Sequence, residues 1–134
     1  MRNAFKKSGL LGDRVEILGD VPRKRYWNLL GQAHFVFHPT LIDNGTLVTV
    51  EAASVGVPVL SHDYPPMRFY ERRFHIPIKF TDANDVTRMA SALSEMEVDA
   101  HDLRERMPTW NSLREFDWRN QAQAFWRAVR AGIA

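Results

Sequence analysis

Two acidic residues whose spacing suits ligand binding, Asp43 and Glu51, stand eight positions apart within residues 40–53. The residue pattern predicts that this stretch follows an apolar strand, crosses a polar loop and enters a helix. In α/β proteins, anionic ligands bind at such a helix N-terminus, because its first N–H groups lack partners within the helix. We therefore expect a phosphate or diphosphate at this point, flanked by the two carboxylates.

The side chains around this helix N-terminus could bind a nucleoside diphosphate that carries a sugar. Gly45 lets the backbone pass close to a ligand, and Thr46 either adds its hydroxyl or caps the helix. Glu51 lies one turn beyond Leu47 and is suited to accept two hydrogen bonds from adjacent ribose hydroxyls. Asp43 is suited to accept hydrogen bonds from the second sugar. An Asx turn at Asp43 and a solvated helix position for Glu51 are the plain structural alternatives.

The composition of the chain narrows the class of protein. Its 134 residues, 45% hydrophobic and 25% charged, are typical of one globular domain. The absence of cysteine excludes disulfides and thiolate metal sites and favours a reducing compartment. A net charge of +2 does not argue for a nucleic-acid partner. Since no apolar run approaches the roughly 20 residues of a membrane span, we expect a cytoplasmic protein, with the inner membrane face as an alternative location.

Strand and helix patterns alternate along the chain. The predicted strands cover residues 15–18, 34–38, 57–61 and 76–80. The predicted helices before and between them cover residues 2–10, 23–32, 46–55 and 67–74. This order predicts an α/β fold with a Rossmann-like parallel sheet of about four strands and helices on both faces. Because so few strands make an incomplete doubly wound domain, we expect that part of a larger fold precedes this sequence.

The C-terminal part of the chain is predicted to be helical. Asp82 is expected to cap a helix whose buried face carries Val86, Met89, Ala90 and Leu93. A second helical piece over residues 99–107 ends before Pro108. The tail over residues 112–134 is predicted as a further helix, with an apolar stripe of Trp118, Ala122, Phe125, Trp126 and Val129.

The central stretch resembles a family signature. Residues 43–51, with the Ala-Ala-Ser-Val-Gly-Val-Pro-Val of residues 52–59, are similar to the acid-x7-Glu pattern of the GT-B retaining glycosyltransferases of group 1 (family 4). The usual form of that pattern is Glu-x7-Glu-Ala-x-x-x-Gly-x-Pro-Val. Three further segments resemble the family, in the same order along the chain. Residues 15–21 resemble its strand and Gly-x-Val turn, and residues 26–39 resemble its Tyr…Ala-x-x-x-x-x-Pro-Ser segment, with Thr40 in place of Ser. Residues 116–118 resemble its Phe-Ser-Trp segment.

The resemblance implies the C-terminal, donor-binding half of a GT-B enzyme that transfers a glycosyl unit with retention. Glu51 would hold the ribose and Asp43 the transferred sugar, and these acids are the candidate catalytic residues. The candidate donor-binding residues are Asp20, Val21, Thr40, Asn44, Gly45, Thr46 and Leu47. The donor would be a nucleotide-diphospho-sugar such as a UDP- or GDP-sugar, and no metal cofactor is expected.

Residues 1–134 are expected to form a single nucleotide-sugar-binding domain that lacks the N-terminal acceptor domain and the first part of the donor domain. The family's Arg and Lys that neutralise the diphosphate belong to that upstream part. We therefore expect the chain alone to bind donor weakly and to be nearly inactive without an N-terminal acceptor domain or subunit. The alternative is a non-catalytic nucleotide-binding or subunit-pairing module, and a fragment with no function of its own is a third interpretation.

Overall fold

The computed structural model describes residues 14–42 and 47–133 of the chain. In the described parts, the strands are β1 Val36–His38, β2 Val59–His62 and β3 Ile78–Thr81. The α-helices are α1 Arg23–Gln32, α2 Leu47–Ser54, α3 Pro65–Phe74, α4 Val86–Glu105 and α5 Trp118–Ile133, and a 3₁₀ helix covers Trp110–Phe116. The helix predicted over residues 2–10 lies outside the described residues.

The three strands form one parallel sheet in the order β1-β2-β3. Val36 pairs with Val59, which in turn pairs with Ile78. Helix α2 lies between β1 and β2 in the chain, and α3 lies between β2 and β3, as parallel pairing requires a crossover connection. The predicted α/β fold with a parallel sheet is therefore confirmed, although the sheet has three strands and not four.

Residues 15–18 do not form the strand that their apolar pattern predicts. Val15 forms only an isolated bridge, and the side chains of Ile17 and Leu18 are 37% and 38% exposed. Apolar residues alone do not make a strand, because successive backbone N–H and C=O groups also need a paired neighbour. The three-strand sheet provides that pairing at β1, β2 and β3 but not at this segment.

Helices cover both faces of the sheet, as predicted. Val59 belongs to a core cluster with side chains from α2 and α3, among them Val50 and Met67. Its neighbour Leu60 points to the opposite face and packs in a second cluster with Ala92, Met96, Ala100 and Leu103 of α4. The alternation of side chains along β2 thus divides the core into two layers.

Helix α4 begins at a different cap from the one predicted. The Asp85 carboxylate accepts hydrogen bonds from the backbone N–H groups of Thr87 at 2.9 Å and Arg88 at 3.0 Å. Asp82 instead accepts from the N–H of Asn84 at 2.9 Å, within the preceding turn. Since the turn satisfies the Asp82 carboxylate locally, the prediction of Asp82 as N-cap is wrong and Asp85 takes that role.

The buried face of α4 also differs from the predicted one. It consists of residues spaced by three or four positions, namely Ala92, Met96, Ala100 and Leu103. Of the predicted face, Val86 is 75% exposed, Ala90 is exposed, and Met89 and Leu93 are half-buried. The buried spacing continues through Ala100 and Leu103 of the second predicted piece, so the two pieces form a single helix of 20 residues that ends at Glu105.

The C-terminal segment is a 3₁₀ helix followed by α5, where one helix over residues 112–134 was predicted. Leu113 of the 3₁₀ helix is fully buried in the core, and α5 packs chiefly on the 3₁₀ helix. The aromatic residues of the α5 stripe face outward: Trp118 is 73%, Phe125 62% and Trp126 58% exposed. Helix α5 therefore presents an aromatic surface that the described part of the chain does not cover.

Candidate functional site

Glu51 is held in place by its own helix and by a contact from a second helix. It lies in the second half of α2 and is half-buried, while its neighbours Val50, Ala52 and Ala53 are buried in the core. The Tyr26 hydroxyl of α1 donates a hydrogen bond of 2.6 Å to Oε2 of Glu51. Because the core fixes the helix and Tyr26 holds the carboxylate, Glu51 is oriented at both ends of its side chain.

The Tyr26 hydroxyl is a donor that keeps its proton. Burial raises the pKa of Tyr26 to about 12, and the hydrogen bond to Glu51 and the charge of Glu51 act in the same direction. The phenol is therefore protonated throughout the neutral range and donates to the carboxylate. A hydrogen bond from a neutral donor to a charged acceptor is stronger than one between neutral groups.

The turn over residues 19–22 leads into α1 and carries the donor-binding candidates Asp20 and Val21, which by the family resemblance would meet the nucleoside base. Gly19 has a φ of 64°, a conformation that a residue without Cβ adopts at low cost. Asp20 is exposed and Val21 is half-buried. The carbonyl of Pro22, the N-cap of α1, accepts the backbone N–H of Tyr26 at 3.0 Å as the first hydrogen bond of the helix. The turn therefore lies directly before the helical turn that carries Tyr26.

The loop between β1 and α2 is described only at its two ends. Thr40 lies two residues after β1 and is half-buried. Leu47 is the first described residue of α2, and its side chain is 60% exposed. The other predicted site residues in this loop, Asp43, Asn44, Gly45 and Thr46, lie outside the described residues, so their contacts with a sugar and a diphosphate stay predictions.

The residue pattern does not predict the contact that Tyr26 makes with Glu51. Its helical spacing with Leu29, Leu30 and Ala33 predicts a core-facing stripe and therefore only a packing role for Tyr26. The ring does pack beside the core and against Trp27, with 5.6 Å between the ring centroids. The hydroxyl binds Glu51, which lies 25 positions further along the chain. Helical spacing carries no information about a partner at that distance. The available signal was the motif, since Tyr26 opens the segment over residues 26–39 that resembles the family.

A cleft of about 740 Å³ lies away from Glu51, at the carboxyl ends of β2 and β3 and the start of α4. The cations on its described wall pair with carboxylates: Arg68 with Asp63 at 2.7 Å, Lys79 with Glu95 at 2.8 Å and Arg88 with Asp85 at 3.4 Å. The Arg68 guanidinium lowers the pKa of the Asp63 carboxyl. Because these cations are already compensated, the cleft is poorly suited to a diphosphate, and the candidate site remains at Glu51.

The described parts of the chain contain neither a cluster of metal-binding side chains nor a helix that could span a membrane. Within residues 14–42 and 47–133, no group of three or more His, Cys, Asp or Glu side chains is placed to hold a metal ion. Over the same ranges, the helices are too short or too polar to cross a bilayer. A metal-independent reaction and a cytoplasmic location stay predictions.

Comparison with known proteins places the chain in a family. Residues 4–109 match the family model described as glycosyl transferases group 1. A curated relative, the phosphatidylinositol N-acetylglucosaminyltransferase gpi3 subunit of Schizosaccharomyces pombe, is 37% identical over 57 residues, which are 42% of this chain and 12% of that protein. No solved structure matches the chain significantly. Because the family model covers most of the sequence, the chain belongs to the group 1 glycosyltransferases.

Proposed function

We propose that the chain binds the nucleotide-diphospho-sugar donor of a retaining glycosyltransferase, with Glu51 on the ribose. The observation that carries this proposal is the 2.6 Å hydrogen bond from Tyr26 to Glu51, which orients a half-buried carboxylate at the first turn of α1. An oriented carboxylate suits the fixed geometry of two neighbouring hydroxyls.

The carboxylate of Glu51 has enough acceptor positions to bind the Tyr26 hydroxyl and a ribose at the same time. It offers about four lone-pair positions on its two oxygens. The Tyr26 hydroxyl uses one of these positions on Oε2. The remaining positions can accept hydrogen bonds from the 2′- and 3′-hydroxyls of a ribose, so the tyrosine and the nucleoside share the carboxylate without competing for it.

The remaining parts of the donor are assigned by position in the chain. The diphosphate lies at the start of α2, on the N–H groups of residues 44–47, and Asp43 accepts from hydroxyls of the transferred sugar. Departure of the diphosphate through an oxocarbenium-like transition state requires positive charge or N–H donors. The nearest cations in sequence, Arg23, Lys24 and Arg25, are exposed at the start of α1. We expect weak donor binding and little transfer by this chain alone.

Isothermal titration calorimetry of the chain with UDP and GDP tests this proposal. We expect binding of at least one nucleotide, and loss of that binding in Glu51→Ala. Glu97→Ala is the matched control, because Glu97 is an exposed glutamate on α4 and its removal changes the net charge equally. Absence of binding for both nucleotides, or equal binding by wild type and Glu51→Ala, would refute the proposal.

The alternative function, a subunit-pairing module, is favoured by the aromatic face of α5. Trp118, Phe125 and Trp126 are each more than half exposed, and large exposed apolar patches mark interaction sites. The curated relative is also named as a subunit. Lack of nucleotide binding, together with self-association that Trp126→Ser abolishes in sedimentation experiments, would support this alternative over donor binding.

A further inference from the structure

Tyr26 brings the start of α1 into contact with Glu51. Its backbone N–H donates to the carbonyl of Pro22 at 3.0 Å as the first hydrogen bond of α1, directly after the turn over residues 19–22. Its side-chain hydroxyl donates to Oε2 of Glu51 at 2.6 Å. The first turn of α1, which follows the turn assigned to the base, therefore contacts the acid assigned to the ribose.

The ring of Tyr26 has little freedom to move between these contacts. It is half-buried, packs beside the core cluster and lies edge-on to Trp27. A tyrosine side chain has only two rotatable bonds before the ring, so such packing fixes the position of its hydroxyl. The hydroxyl also stays protonated in the neutral range, because burial and Glu51 raise its pKa. Tyr26 therefore acts as a rigid donor towards Glu51.

We infer that Tyr26 is a positioning residue that makes this site selective for ribonucleotides over 2′-deoxyribonucleotides. By holding Oε2 of Glu51, it directs the rest of the carboxylate towards the two ribose hydroxyls and fixes its distance from the base-binding turn. This inference rests on the proposed donor site. It adds a residue that touches no ligand itself but determines which class of nucleotide the site accepts.

The test compares three ligands in calorimetry: a ribonucleoside diphosphate (UDP or GDP), its 2′-deoxy analogue and inorganic pyrophosphate. The wild-type chain should bind the ribonucleotide about tenfold more tightly than the deoxy analogue, since a hydrogen bond to a charged group contributes a factor of that order. In Tyr26→Phe, this preference should fall to about two- to threefold, because the carboxylate is no longer oriented. Pyrophosphate affinity should not change, because it does not involve Glu51.

Ser91→Ala is the matched control. The Ser91 hydroxyl on α4 donates to the Glu95 carboxylate at 3.0 Å, so the substitution removes a hydroxyl–carboxylate hydrogen bond that does not involve Tyr26 or Glu51. It should leave the preference for ribose unchanged. Glu51→Asp is a second variant that does not depend on Tyr26→Phe folding. Its shorter side chain cannot reach Tyr26 and a ribose together, so it should also lose the preference while retaining pyrophosphate binding.

The outcomes separate the inference from the function on which it rests. If the wild-type chain binds neither UDP nor GDP, the proposed function is refuted and the inference falls with it. If binding is lost in Glu51→Ala but Tyr26→Phe keeps the full preference for ribose, only the inference is refuted. If Glu51→Asp keeps that preference, the ribose contact assigned to Glu51 in the proposed function is refuted. If Tyr26→Phe is less stable but keeps the preference, Tyr26 is a structural link between α1 and α2.

Discussion

The Tyr26 hydroxyl of α1 lies 2.6 Å from Oε2 of Glu51 in α2. This hydrogen bond joins two helices that flank β1 in the chain, and it places a neutral donor on the acid that the family signature singles out. Tyr26 lies in the first turn of α1, where its backbone N–H donates to the Pro22 carbonyl at 3.0 Å, so the side-chain bond ties the start of α1 to Glu51. The orientation of Glu51 and this contact between α1 and α2 therefore depend on the same hydrogen bond.

The contribution of this bond to stability should depend on pH. The folded-state pKa of Tyr26 is raised from 10.0 to about 12, so folding favours the protonated phenol. The stabilisation is fully present below the unfolded-state pKa and is lost as pH rises through the folded-state pKa. Near neutral pH, we expect Tyr26→Phe to lower the free energy of unfolding by about 1–2 kcal/mol.

Urea denaturation of wild type and Tyr26→Phe over a pH series measures this effect. The difference between the two proteins should be constant in the neutral range and should shrink between pH 10 and about pH 12. Tyr70→Phe serves as the control for loss of a hydroxyl in another aromatic cluster. A difference that does not change with pH would contradict the role assigned to the Tyr26 proton.

The N-cap contribution to the stability of α4 should come from Asp85 and not from Asp82. Asp85→Ala removes the acceptor for two backbone N–H groups and should lower the free energy of unfolding by about 1 kcal/mol. Asp82→Ala should have a smaller effect, because Asp82 accepts hydrogen bonds only within the preceding turn. Thermal unfolding followed by circular dichroism compares the two variants. A larger loss for Asp82→Ala would place the cap where the residue pattern predicted it.

Two apolar residues near the C-terminus should differ strongly in their contribution to stability. Leu113 is fully buried in the core, so Leu113→Ala should cost about 2–4 kcal/mol through lost contacts and a cavity. Phe125 is 62% exposed, so Phe125→Ala should change stability by less than about 0.5 kcal/mol. Chemical denaturation at low protein concentration measures both. A large loss for Phe125→Ala would show that α5 is covered, by self-association or by another segment.

Local signals in the sequence predicted much of the fold and part of the candidate site. Helix α1 has its predicted bounds, because Pro22 suits a helix start and the apolar spacing follows one face. The apolar runs predicted β1, β2 and β3 to within a few residues, and their alternation with helices predicted a parallel sheet. The spacing of two acids identified Glu51. These features depend on residues that are close in the chain, where sequence patterns are informative.

The sequence by itself determined the α/β order and the parallel sheet, and it predicts Glu51 as the acid of the candidate site. Only the tertiary structure decided that residues 15–18 form no strand, which face of α4 is buried, and that Tyr26 binds Glu51. The physical reason is common to all three. Each feature depends on a partner that is distant in the chain. A strand needs a neighbouring strand with which to pair, and a helix buries the face that meets another layer of the fold. The Tyr26 hydroxyl reaches the Glu51 carboxylate, 25 positions away, only after both helices pack on the sheet.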